Sequence, residues 1–167
     1  MARKMDIRIV NAISACIIIL TLLLSNYAFY VEKLFRIILL LACWFSMLYF
    51  THCLAHYVVG RLLGVEFDYY FLSRSMLFKV SPRLFSARIF LTLKLRKKPK
   101  GWRGFIMYLA GPLASMLSPL SVAFVALSYD RLSALILFAL TAFNAIFTGY
   151  FSFKYGCIRK GLNCLNV

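Results

Sequence analysis

The sequence predicts an all-α polytopic membrane protein: four transmembrane helices, with a small membrane-surface β segment between the second and the third. Three observations predict it. Of the 167 residues, 63% are hydrophobic and 15% charged, at a mean hydropathy of +0.83; soluble domains average about 45–50% apolar and about 25% charged residues. The apolar excess is gathered into four blocks, each long enough to cross a bilayer at about 1.5 Å per residue. The basic residues lie between those blocks. Twenty Lys+Arg face five Asp+Glu, a formal charge of +15. In a soluble chain that balance points to nucleic acid. Between apolar spans, topology and anionic headgroups of the lipid bilayer explain it, and no nucleic-acid partner is expected. Residues 1–167 are expected to form one membrane domain.

In order, residues 1–8 make a short basic start. The first span covers 9–30; the basic residues ahead of it are followed by no small-residue cleavage site, so it reads as a retained helix rather than a signal peptide. Glu32, Lys33 and Arg36 mark a short connection. The second span, 34–63, is longer than a crossing needs and is expected to tilt or protrude. Segment 64–101 changes character. Residues 65–71, 76–80 and 89–95 alternate polar and apolar side chains as strands do, and Arg96-Lys97-Lys98-Pro99-Lys100-Gly101 is a charged turn with breakers. The third span, 102–129, contains Gly111-Pro112 and Pro119. The fourth covers 131–153, and 154–167 reads as a short basic tail. Segments 1–8, 61–103 and 154–167 carry 3, 11 and 3 of the basic residues, against 3 in the remaining connections. The positive-inside rule then places both termini and the central basic segment in the cytosol.

The five cysteines, Cys16, Cys43, Cys53, Cys157 and Cys164, fit no disulfide framework or zinc-finger spacing. The two histidines, His52 and His56, lie four apart in an apolar run. On a helix both rings leave one face a turn apart, the spacing with which a helix offers two imidazoles to one metal ion. Hydrogen bonding to neighbouring helices is the alternative use of such a pair. Depth brings other residues level with them. His56 and His52 lie roughly 7–13 Å in from Arg61, while Gly111-Pro112 and Asn144 lie about 14–15 Å in on their own spans. Polar residues at such depth usually face a bundle interior, and helix breakers such as Gly111, Pro112 and Gly149 need protein or water around them. One intramembrane cavity lined by His52, His56, Gly111, Pro112 and Asn144 is expected.

At this point the pattern resembles a family. His52-x-x-x-His56 followed by Arg61-Leu62-Leu63-Gly64-Val65 resembles the signature of site-2 protease-type intramembrane zinc metalloproteases, H-E-x-x-H with a Leu-Gly-Val-like exit into a small sheet. Residues 108–114, containing Ala110-Gly111-Pro112, resemble the A-G-P segment of the next family helix. Residues 143–152 resemble the last, which typically reads N-x-x-P-x-G-x-x-S-D-G or N-x-x-P-x-P-x-x-D-G. The resemblance covers residues 45–156 and implies a three-helix core preceded by one added helix.

The departures decide what the resemblance implies for activity. Cys53 stands where the family has the glutamate that serves as general base. Phe153 stands where it has the aspartate that is the third zinc ligand, Lys154 where it has the following glycine, and Phe147 where it has the proline. Two ligands, His52 and His56, remain for zinc, and a catalytic zinc usually has three protein ligands and an open position. Cys157 is the nearest alternative soft ligand. The expectation is therefore a homologue that keeps the fold, has lost peptide hydrolysis and binds a transmembrane partner without cutting it. Zinc would be weakly held or absent. The alternatives are an active zinc endopeptidase with an atypical site, using for instance a water positioned by Asn144, and a metal- or haem-binding or purely structural membrane protein unrelated to proteolysis.

Overall fold

The computed structural model describes residues 4–73 and 90–166. The first helix begins where Asp6 caps it: its carboxylate accepts from the backbone N–H of Arg8 at 2.7 Å and of Ile9 at 3.3 Å, donors that a helix start leaves unpaired. Helix α1 runs Ile7–Tyr27 and passes into a 3-10 turn, Ala28–Tyr30. Helix α2, Lys33–Leu62, has no proline and no glycine before Gly60, so nothing interrupts its 30 residues. Strands β1, Phe67–Ser73, and β2, Phe90–Leu95, pair antiparallel with Tyr70 opposite Leu93. Met5 adds an antiparallel bridge to Tyr70. Then follow α3 (Gly101–Leu117), α4 (Pro119–Leu127), α5 (Arg131–Tyr155) and α6 (Cys157–Leu165). Helices α3 and α4 continue one another across Ser118, where Pro119 brings no N–H to the ladder.

Among the described residues, helices hold 78%, and four stretches are long and apolar enough to cross a membrane: Ile7–Tyr30, Lys33–Leu62, Gly101–Leu127 and Arg131–Tyr155. They match the four spans read from the sequence to within a few residues. The strand expected at 65–71 starts later, at Phe67, and that at 89–95 is β2; the strand expected at 76–80 lies outside the described residues. The short basic tail, 154–167, is mostly helix among its described residues, which the sequence reading left open: α5 continues to Tyr155, and α6 folds back onto α3.

Burial is inverted relative to a water-soluble bundle. Ile9, Leu23, Phe45, Leu135 and Phe143 are among many large apolar side chains facing outward, while Ser25, Ser115, Thr141 and Asn144 are buried. These four polar side chains are satisfied nearby, Ser25 and Ser115 by carbonyls of their own helices and Asn144 by the Ser115 carbonyl. Trp44 donates from Nε1 to Thr141 Oγ1 at 2.8 Å, and Thr141 donates on to the Leu137 carbonyl at 2.7 Å. Around them Leu40, Cys43, Met47, Val122, Ala126 and Leu137 form the apolar core where α2, α4 and α5 meet. The end of the bundle away from the sheet is tied by Arg36. Its guanidinium donates to the carbonyls of Ala28, Phe29 and Val31 at 3.0–3.2 Å and lies 3.7 Å from the carboxylate of Asp130, which caps α5.

Candidate metal centre

Helix α2 carries both histidines on its inner face, with ring centroids 4.9 Å apart and ring planes at 84°. Their remaining hydrogen bonds fix which nitrogen is free. His56 Nδ1 lies 2.7 Å from the Met107 carbonyl oxygen of α3. A carbonyl only accepts, so Nδ1 carries the proton and Nε2 keeps its lone pair. That Nε2 is buried and has no hydrogen-bond partner. His52 Nδ1 lies 3.3 Å from Ser115 Oγ, whose own hydroxyl donates to the Pro112 carbonyl at 3.0 Å. With its single hydrogen so used, Ser115 Oγ accepts from His52 Nδ1, and His52 Nε2 keeps a lone pair that faces the Cys157 thiol. This is the outer-sphere pattern that fixes the tautomer and aim of metal-ligating histidines.

A third donor faces them. Cys157 Sγ, at the start of α6, lies 3.8 Å from His52 Nε2, and ligand atoms of His52, His56 and Cys157 all lie within 4.8 Å of one another. In a tetrahedral zinc site with bonds of about 2.0 Å to nitrogen and about 2.3 Å to sulfur, neighbouring donors stand about 3.3–3.6 Å apart. Small side-chain rotations close that difference, so the three residues form a group able to hold a metal ion. Burial pushes the Cys157 thiol up from its ordinary value, with the Lys160 ammonium acting against it. A metal would have to displace that thiol proton on binding.

The structure brings some of the expected site residues together and leaves others apart. Gly111 is at the centre: a Cβ built there would overlap the His56 ring, so only glycine lets α3 approach α2 this closely. Pro112 takes part through its carbonyl. Asn144 of α5 donates from Nδ2 to the Ser115 carbonyl at 3.0 Å, and its Oδ1 accepts from Thr148 at 3.1 Å. Gly149 packs instead toward Met116, where a Cβ would sit at an ordinary 3.5 Å. Phe153 is not brought to the histidines; it is 62% exposed on the outer face of α5. Cys53 turns away from the site and donates its S–H to the Leu91 carbonyl of β2 at 2.9 Å.

No carboxylate joins the group. Asp6, Glu32 and Asp130 stand at helix starts, and Glu66 and Asp68 lie beside or within β1. A groove of about 480 Å³ at the mouth of α2 and α3, lined by Leu63, Glu66, Lys98 and Arg103 among others, lies apart from the histidines.

One contributor was missed in the sequence: the Met107 carbonyl is backbone and carries no signal. Cys157 was named there as the nearest alternative soft ligand, but not the helix that places it; Cys157, Gly161 and Cys164 recur at i, i+4 and i+7, a helical face that a short basic segment hides. Compared with known proteins, the chain matches no family model, no curated protein and no solved structure.

Proposed function

We propose that this chain is a multi-pass membrane protein built on a site-2 protease-type helical core, which holds zinc at His52 and His56 and does not hydrolyse peptide bonds. The observation that carries the reading is the gathering of His52 and His56 ligand atoms with a third donor within 4.8 Å of one another, the buried His56 Nε2 having no hydrogen-bond partner and no carboxylate among the described residues joining the group. Zinc bound there would supply a Lewis acid; among the described residues no carboxylate stands beside the histidines to take a proton from its water. Cys53 occupies the position after the first histidine, and its sulfur is engaged with Leu91 on another face of α2. Without a base, such a scaffold retains binding of a transmembrane partner as its function.

Membrane insertion is supported by the apolar exterior, with polar side chains such as Thr141 and Asn144 turned into the bundle and hydrogen-bonded there. Met5 pairs with β1, and α6 packs on the first turns of α3, so both ends of the chain lie at the sheet end of the bundle. Four crossings require the two ends to share a side, and the basic segments assign that side to the cytosol.

Metal analysis of detergent-purified protein tests the reading. Wild type should carry zinc that a His52→Ala/His56→Ala variant lacks. Equal metal in both would remove the site, and cleavage of a membrane-embedded reporter by wild type, abolished by His52→Ala, would falsify the absence of hydrolysis.

A further inference from the structure

The proposed function assigns two ligands and leaves the coordination incomplete. We propose that the Cys157 thiolate is the third ligand, so that a thiophilic ion of the Zn²⁺ class joins α2 to the C-terminal helix α6. This rests on the reading of His52 and His56 as metal ligands and adds to it a ligand from a separate element.

Two independent observations point the same way. The first is donor geometry: Sγ lies 3.8 Å from His52 Nε2 and belongs to a group of three donors within 4.8 Å. The second is the buried His56 Nε2, left without a hydrogen bond. A buried acceptor without a partner loses its hydration with nothing in return, and native interiors rarely tolerate one. A metal between Cys157 and the two rings would satisfy it.

The seat of α6 shows that Cys157 is held there rather than passing by. Gly161 of α6 lies against α3, where an added Cβ would sit 3.2 Å from Tyr108 and 3.3 Å from the Phe105 carbonyl. Reciprocally, an added Cβ at Gly104 of α3 would sit 2.8 Å from Cys164 Sγ. The first turn of α6 is fixed by Ile158 N–H donating to Ser152 Oγ at 3.2 Å, and Arg159 donates to the Lys154 carbonyl at 2.8 Å. These contacts set Cys157 beside the end of α5, level with His52.

No other described thiol is placed to substitute. Cys53 is bonded to Leu91, Cys164 donates to the Lys160 carbonyl at 3.2 Å, Cys43 lies in the apolar core and Cys16 is exposed on α1. A donor set of two imidazoles and one thiolate selects Zn²⁺, or Co²⁺ as its spectroscopic substitute, over Mg²⁺ and Ca²⁺. With three protein ligands, one position stays open.

The test uses the full chain in detergent, stripped with chelator and titrated with Co²⁺. Wild type should bind about one equivalent and show a thiolate-to-cobalt charge-transfer band. Cys157→Ser should lose the band and bind at least about tenfold more weakly, a loss in line with those seen on perturbing metal ligation. Cys53→Ser should keep both. A wild-type band surviving in Cys157→Ser overturns the proposal, as does wild-type binding without a charge-transfer band; in that second case the histidines hold the metal alone and the proposed function stands. Failure of wild type to bind overturns both. A second measurement does not depend on the folding of any cysteine variant. Zn²⁺ should protect Cys157 of wild type from alkylation, mapped by mass, and leave Cys16 unaffected. Alkylation of Cys157 at an unchanged rate in zinc-saturated protein overturns the assignment.

Discussion

Asn144 and His52 share no hydrogen bond, yet Ser115 joins them: Asn144 donates to its carbonyl at 3.0 Å and His52 Nδ1 meets its hydroxyl at 3.3 Å. One residue of α3 thus aims a ring on α2 and receives support from α5. Asn144→Ala should leave the buried Ser115 carbonyl short of a donor, at a cost of about 1–3 kcal/mol. Zinc affinity should fall by about 10–100-fold, as for other outer-sphere partners. Equilibrium dialysis and thermal melting read the two effects. An unchanged zinc affinity would show that Ser115 does not transmit the position of α5 to His52.

Gly111 and Gly149 should answer differently to the same substitution. Gly111→Ala puts a methyl group into the His56 ring. Overpacking of that kind costs about 1–3 kcal/mol, and here it also displaces a ligand, so metal should be lost along with stability. Gly149→Ala meets only Met116 at 3.5 Å. It should be neutral or stabilising by up to about 1 kcal/mol, since alanine is the better helix former. Equal losses in both variants would mean that helix contact in general, not the His56 ring, excludes side chains from α3.

The cap that Asp130 makes with Ser133, with Arg36 beside it, predicts an acid limb of stability. Hydrogen bonds from the Ser133 hydroxyl and amide, with Arg36 nearby, hold the Asp130 carboxyl below its ordinary value, against a smaller opposing effect of burial. A depressed pKa contributes stability that is present above the unfolded-state value and is lost as pH falls through the folded-state value. The melting temperature of wild type should therefore drop on acidification below the ordinary carboxylate range, and Asp130→Asn should flatten that drop. An acid limb of the same depth in the variant would assign it to other carboxylates.

Single-cysteine labelling checks the topology. A cysteine placed at Lys4 or at Asn166 should react with an impermeant reagent only after the membrane is opened. One placed at Val31, in the connection between α1 and α2, should react from outside in intact cells. The reverse pattern would invert the orientation inferred from the basic segments.

The four long helices were legible because hydropathy alone reports them, and β1 and β2 because alternation survives in Phe67–Ser73 and Phe90–Leu95. The histidine pair was legible from its spacing. Helix α6 was not, because nine residues with two basic side chains form a helix only through what they pack against, and that partner, the face of α3 around Gly104, is some 50 residues distant in the chain. The expected third-ligand position was set by counting along α5 to Phe153. The helix turns that residue outward, and a sulfur four residues later, past the break at Gly156, stands nearer the rings.

The bridge between Met5 and Tyr70 carries a consequence for biogenesis. The two residues exchange backbone hydrogen bonds at 2.9 and 3.0 Å, and the Tyr70 hydroxyl donates to Asn11 at 2.8 Å. Tyr70 is fully enclosed, and β1, on which it sits, is itself paired along its length with β2. During synthesis α1 leaves the ribosome before α2, but the residues that fasten its start emerge only after α2 is complete, and their strand partner emerges later still. In the proposed topology α1 must therefore wait at the bilayer, docked through its apolar faces alone, until the sheet arrives to latch it. A truncation that stops translation before β2 should yield a protein whose first helix remains open to extraction or to capture by a membrane chaperone.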